Sequence, residues 1–288
     1  MTSNLQPIAA PGQSMSPAII SVCIPVYNCR EHIAQAVDSV LSQTFCNFEL
    51  IVIDNCSDDG TYEILRAYND PRIRLLRNET NIGACGNWNR ALKEASGRYI
   101  KILCADDFLY PECLARQFAV MEAEDETLMI VSCSRDIIDE SGRKVFRRGY
   151  PGGSGRVAGQ SVIRKIVLRG TNVVGDVSSA MFRNEAVASA GWYDGSLPYV
   201  IDLDYWVRVL KNGDLFVMSE ALSAYRVSGD SWSVAITNSQ AADFSALIDK
   251  INQIYGVKLT RLEMLIGKAM AWLNSRLRKI FYRVYLRR

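Results

Sequence analysis

Histidine is nearly missing from these 288 residues, and the single copy, His32, removes whole chemistries. A multi-histidine metal centre is impossible, and a Ser-His-Asp or Cys-His nucleophile is disfavoured. His32 itself opens a helical stretch, where capping or solvent exposure is the ordinary role. No GxGxxG follows the first apolar run and no GxxxxGK[ST] occurs, which argues against dinucleotide and P-loop sites. No run of about 18 apolar residues exists, so no bilayer span is predicted. The opening stretch "MTSNLQPIAAPGQSMSPAIISVCIPVYN" lacks the basic start of a signal peptide. All eight cysteines lie between positions 23 and 133, and none forms CxxC. That usage predicts reduced core thiols in a cytoplasmic protein rather than a disulfide framework.

Net charge is also low, at a formal +2, but it is unevenly spread. Residues 259–288 hold eight Lys or Arg against one acid, Glu263, and leave the first 258 residues with five more acids than bases. A net-acidic body argues against nucleic acid as a partner. The tail "LTRLEMLIGKAMAWLNSRLRKIFYRVYLRR" sets Leu262, Leu265, Ile266, Leu273, Leu277 and Ile280 at helical spacing among its basic residues. Two readings of it stand equal: a helix lying on an anionic membrane surface, or one packed on the domain or a partner subunit. Oligomeric state is not legible.

What is present is an alternation. Residues 1–17, rich in Pro, Gly, Ser and Gln, are expected to be disordered. Apolar runs at 18–26, 48–54, 72–77 and 98–104 read as buried strands, and 30–43, 58–69 and 86–97 as the helices between them. Asp58 or Asp59 is the expected N-cap of the second helix. Four such repeats predict an α/β fold with a mostly parallel central sheet and helices on both faces. Further on, 111–124, 158–170 and 202–213 read as helices and 127–133 as a strand. Residues 139–143 have hairpin-turn composition, 149–155 that of a mobile loop, and 214–227 that of two short strands.

Such sheets bind ligands beyond the carboxyl ends of their strands. Here those ends carry Pro25-Val26-Tyr27-Asn28, Asp54-Asn55, Asn81-Ile82-Gly83 and Asp106-Asp107. Adjacent carboxylates at the end of a buried strand need something positive beside them. A hard divalent cation, Mg²⁺ or Mn²⁺, satisfies them with oxygen ligands. The alternative is a helix cap paired with an arginine such as Arg98 or Arg116. Arg183 and Arg226 could contact phosphate or a second substrate, with surface or structural pairing at least as well supported, and Trp192 and Tyr193 read as core or as a wall for a second substrate.

The runs "SVCIPVYNCREHIAQAVDSVLSQTFCNFELIVIDNCSDDGT" and "NIGACGNWNRALKEASGRYIKILCADD", with the weaker "GDVSSAMFR" and "VIDLDYWVRV", resemble family 2 glycosyltransferases of the GT-A fold. The resemblance implies a catalytic domain over 18–235, with a nucleotide-binding half at 18–114 and an acceptor half at 115–235, and a helical basic extension at 236–288. It implies a nucleotide-sugar donor held by Pro25, Val26, Tyr27, Asn28, Asp54, Asn55, Asp58, Asn81, Gly83, Asn89 and Asp106. Asp106 and Asp107 would hold the metal of a DXD motif. Asp202 would be the catalytic base of an inverting transfer to a glycan or lipid-linked glycan, with the protein in the cytoplasm or on the inner membrane face. For Asp202 the residues alone also allow a helix cap, with Asp204 favouring the same positive end.

Four positions depart from the family pattern: Cys104 for the first acid of the DXD motif, Trp88 for an arginine, Ile201 for an acid before the base, and Ser228 for a histidine. Asp106 would then carry more of the metal binding. A sugar nucleotidylyltransferase would want a Gly-rich basic loop where this chain has "PVYNCRE". A non-catalytic nucleotide-sugar-binding or scaffold module is the alternative from another class.

Overall fold

A computed structural model describes residues 18–229 and 236–285, with side chains to Arg283. The expectation for residues 1–17 therefore lies outside the described residues. Strands β1 (Ile20–Val26), β2 (Phe48–Asp54), β3 (Ile73–Arg77) and β4 (Tyr99–Ile102) alternate with helices α1 (Ile33–Leu41), α2 (Thr61–Arg66) and α3 (Gly83–Glu94). They pair in parallel in the order β3-β2-β1-β4. The continuous apolar runs explain this half, because successive side chains point to opposite faces and both faces are covered. Cys23, Ile51, Ile53, Ile100 and Ile102 enter one core, while Ile20, Val22, Ile24, Leu50 and Val52 enter the other.

Beyond β4 the chain adds β5 (Phe108–Leu109), β6 (Leu128–Ile138), β7 (Lys144–Arg148), β8 (Gly155–Val157), β9 (Ala180–Arg183) and β10 (Asp214–Arg226). The order continues β4-β9-β6-β10-β5, with β7 beside β6 and β8 beside β10. β9 runs antiparallel to both β4 and β6, so the parallel half is N-terminal and the whole sheet is mixed. Helices α4 (Cys113–Ala123), α5 (Gly159–Arg169), α6 (Glu185–Ala190), α7 (Ile201–Leu210), α8 (Gln240–Gln253) and α9 (Arg261–Tyr285) complete the fold. Residues of α1 and α4 bury against one face, and residues of α3, α5, α7 and α8 against the other.

Several local expectations are corrected. α3 begins at Gly83 and ends before Gly97, which instead packs on β1. A Cβ there would sit 2.6 Å from the Ser21 amide nitrogen, and the Gly97 amide donates to Ser21 Oγ at 2.8 Å. The α2 cap is Gly60 in the left-handed region at φ 96°, not an aspartate. The strand foreseen at 127–133 runs on to Ile138. The 214–227 stretch forms one 13-residue strand, Asp214–Arg226, rather than two, because bulges around Ala221 absorb the break in its apolar pattern while pairing with β6 resumes beyond it. The 149–155 stretch is tied by Lys165 Nζ, which donates to the Pro151 carbonyl at 3.1 Å, and its last glycine starts β8. The cysteines are free thiols, but only Cys23, Cys113 and Cys133 are buried and Cys46 is exposed.

The tail helix packs on the body. Ala271 and Ser275 are buried, and a Cβ on Gly267 would lie 2.7 Å from the Val167 carbonyl of α5. Its other face is bare, with Leu262, Leu265, Trp272, Leu277 and Ile280 all more than half exposed. No helix among the described residues is long and apolar enough to cross a membrane.

Candidate active site

The turn after β1 is locked to the loop after β2. Asn28 adopts φ 47°, its amide donates to Ser57 Oγ at 2.9 Å, and its side chain donates to Asp58 at 2.8 Å while accepting from the Asp58 amide at 3.0 Å. Asp58 is thereby a brace for Asn28. Behind this lies an amide ladder. Asn55 accepts from Asn78 at 2.6 Å and donates to Asn81 at 2.8 Å, and Asn78 donates to Asn87 at 3.0 Å. It joins the ends of β2 and β3 to the start of α3. Neither Asn78 nor Asn87 was expected.

A cleft of about 950 Å³ opens at this edge of the sheet. It is lined by Pro25, Val26, Tyr27, Asn28, Asn55, Asn81, Gly83, Asp106 and Asp202, so nine of the expected site residues come together. Asp54, Asp58, Asn89 and Asp107 do not line it. Asp54 is fully buried, with Arg77 Nε at 3.0 Å. Asn89, expected to contact nucleotide, spends both halves of its amide on the Tyr193 backbone, at 2.7 and 3.0 Å. Tyr193 is core and Trp192 is exposed.

The two adjacent acids have separate tasks. Asp107 is buried, accepting from Ser178 Oγ at 2.6 Å and from the Arg226 amide at 2.9 Å. Burial, then the neighbouring Asp106, push its pKa well above the usual range. Arg226 also donates from Nε to the Asp106 carbonyl at 2.9 Å, fixing the loop. Neither Arg98 nor Arg116 takes part, since they pair with Glu122 and with Glu112 and Glu220. Arg183 is structural, donating to the Leu128 carbonyl at 2.7 Å. The Asp106 carboxylate accepts no hydrogen bond from another residue among the described ones, and Asp106 lines the cleft. Ligand atoms of Cys104, Asp106 and Asp107 lie within 4.8 Å of one another. An unsaturated carboxylate oxygen at the edge of an open cleft fits a hard divalent cation; Cys104 is a softer donor than such an ion prefers.

Across the cleft, Asp202 lies within the first turn of α7 and not at its cap. Asn172 Nδ2 donates to Oδ2 at 2.9 Å, and the Leu203 amide to Oδ1 at 2.7 Å. Burial, with Asp176 adding, raises its pKa to about 7 despite those donors. Asp204 is instead structural, gripped by Arg208, Lys250 and Tyr255. Asp176, Arg135 and Asn172 belong to this site, and sequence reasoning missed them. Asp176 caps the short turn at Val177–Ser179 and pairs with Arg135. Its one sequence signal was the "GDVSS" stretch.

A parallel half-sheet whose carboxyl edge opens on a cleft, completed by a mixed half over which α7 brings a second carboxylate, defines an enzyme of GT-A architecture. The chain belongs to glycosyltransferase family 2, whose model matches residues 21–189. Among its relatives, the putative teichuronic acid biosynthesis glycosyltransferase TuaG of Bacillus subtilis is 31% identical over 75% of this chain and 84% of its own. The Escherichia coli UDP-Glc:alpha-D-GlcNAc-diphosphoundecaprenol beta-1,3-glucosyltransferase WfaP is 41% identical over 37% of this chain and 42% of its own. The fold is similar to that of S. aureus TarS 1–349 in complex with UDP-GlcNAc, with a TM-score of 0.67 at 20% identity over 89% of this chain and 72% of that one.

Proposed function

We propose that the protein transfers a sugar, with inversion, from a nucleoside diphosphate donor to a hydroxyl of a glycan or lipid-linked glycan. One observation carries this: a half-buried carboxylate held by Asn172 and the Leu203 amide, Asp202, whose pKa is raised to about 7, lines the same cleft as Asp106, whose carboxylate accepts from no other described residue. The β1 turn and the amide ladder form the end that takes the nucleotide. Asp202 takes the proton from the acceptor hydroxyl as its oxygen bonds the anomeric carbon and the bond to the diphosphate breaks. Asn172 and the Leu203 amide hold the accepting carboxylate in place. With one base and one displacement, configuration inverts. Mg²⁺ or Mn²⁺ held by Asp106, with Asp107 anchoring the loop behind it, would neutralise charge growing on the departing diphosphate. The UDP-sugar named with TarS and the diphosphoundecaprenol acceptor named for WfaP support donors and acceptors of these classes.

A screen of nucleoside diphosphates and their sugars for thermal stabilisation with Mn²⁺ tests this. A ligand of the folded state at about 100 times its Kd should stabilise by roughly 2.7 kcal/mol. Absence of any stabilisation by nucleotide would overturn the donor assignment. Binding with no turnover would favour the non-catalytic module.

The bare face of α9 belongs to the same proposal. It sets Leu262, Leu265, Trp272, Leu277 and Ile280 beside Arg261, Arg276, Lys279 and Arg283, which suits an anionic lipid surface. Deleting the helix would uncover the core, so Trp272→Ser with Leu277→Ser is the cleaner variant. It should lose most sedimentation with phosphatidylglycerol vesicles while keeping wild-type nucleotide affinity; unchanged sedimentation would exclude this face.

A further inference from the structure

The cleft has a charged wall apart from the residues expected to take the donor. Arg135 of β6, Arg148 of β7 and Arg278 of α9 come from three elements and line the cavity that holds Asp202. Arg135 is paired with Asp176. Arg148 donates from Nη2 to Thr171 Oγ1 at 3.2 Å. Arg278 donates from Nε to Gln240 Oε1 at 2.9 Å and lies 5.1 Å over the Tyr199 ring. Among the described residues, neither Arg148 nor Arg278 forms an ion pair with a carboxylate. Burial, and then repulsion from Arg135 and Arg278, lower the Arg148 pKa, as expected of crowded like charges. The ring of Phe146 in β7 packs 6.0 Å from Phe281 of α9, which holds the two elements together.

Arg148 and Arg278, crowded beside the paired Arg135 in a part-desolvated wall with no carboxylate of their own among the described residues, are costly unless an anion joins them, and their planar donors match phosphate oxygens. The turn after β1 and Asp106 after β4 mark the donor end of the cleft. Arg135 and Arg148 stand on the other side of β9, in the half of the sheet that carries no nucleotide candidate, and Arg278 reaches the cavity from α9.

We propose that Arg135, Arg148 and Arg278 form a second anion site, which grips the phosphate or diphosphate ester of an anionic acceptor and so aims its hydroxyl at Asp202. This rests on the glycosyl-transfer reading above. Because α9 also carries the bare apolar face, a phosphate borne on a lipid would reach the site from the surface on which that helix lies.

The test uses the full chain, saturated with Mn²⁺ and the nucleoside diphosphate that the screen selects, titrated with inorganic phosphate, geranyl phosphate and geraniol. Wild type should bind both phosphates and not geraniol. Arg148→Gln and Arg278→Gln should each weaken phosphate binding about tenfold or more, the scale of one charged hydrogen bond. Arg148→Lys should recover part of it, and nucleotide affinity should be unchanged in all three. Wild-type phosphate affinity in the glutamine variants would overturn the proposal. So would phosphate binding that disappears once nucleotide is present, since the arginines would then serve the donor. A loss confined to phosphatidylglycerol vesicles would assign them to lipid headgroups instead. If no nucleotide binds, the donor reading fails; phosphate titrated alone still tests the arginines.

Discussion

Asp202→Asn is expected to lose about 10²–10⁴-fold in turnover, the usual contribution of a positioned general base, with donor affinity unchanged. Asn keeps the shape and can still face Asn172, but it cannot take a proton. The wild-type rate should follow ionisation of Asp202, whose pKa is raised to about 7, chiefly by burial. Below that pH turnover should fall roughly tenfold per unit, and above it level off; the variant's residual rate should lack this limb. Stability should move oppositely. The folded pKa lies above the unfolded value of about 3.9, so between those pH values the folded state holds the extra proton. Stability contributed by the protonated form is present below about pH 4 and lost as pH rises towards 7. The Asn variant should therefore melt higher than wild type at about pH 8, and the gap should close in acid. Wild-type turnover in the variant, or a flat rate profile between about pH 5.5 and 8, would remove Asp202 from the chemistry.

How much of this was legible follows from the range over which each contact is made. The parallel half was open to reading because β1, β2 and β4 are mostly apolar, broken only by Ser21, Glu49 and Lys101, and the polar residues that end them gather on one edge by topology alone. β10 was not, because Ser219 and Glu220 interrupt the run and the bulge that accommodates them is set by pairing with β6. Asn89 was expected at the nucleotide from the family resemblance alone, yet its partner is the backbone of Tyr193, far along the chain. Asn172 and Arg135 carried no local signal, and Asp176 carried only a faint one. They meet Asp202 only after β9 folds back antiparallel between β4 and β6. Of the two readings of the tail, packing on the body accounts for one face of the helix, and the other face is apolar and exposed. The residues packed on α5 and α8 and the apolar row left outside alternate within the same turns, which spacing alone does not separate.

Asp106→Ala should abolish the Mn²⁺-dependent part of nucleotide binding, measured by calorimetry with and without the ion. Changes to groups merely behind a metal ligand cost about 10–100-fold in affinity, so loss of the ligand itself should cost at least about 100-fold. The reasoning is one of available oxygens. Asp107 has both carboxylate oxygens engaged, by Ser178 and the Arg226 amide, and Cys104 offers sulfur, so Asp106 is the one hard ligand the loop leaves free among the described residues. Asp107→Asn should behave differently. It keeps the carbonyl that can accept from one donor but sets an amide against the other, so it should lower the melting temperature through the loop and weaken metal binding less than Asp106→Ala does. Melting behaviour close to wild type in Asp106→Ala, together with lost Mn²⁺ dependence, separates ligation from folding. Wild-type nucleotide affinity with Mn²⁺ in Asp106→Ala would mean that no ion bridges this loop to the donor's diphosphate, and the cleft would then have to neutralise that charge with its arginines alone.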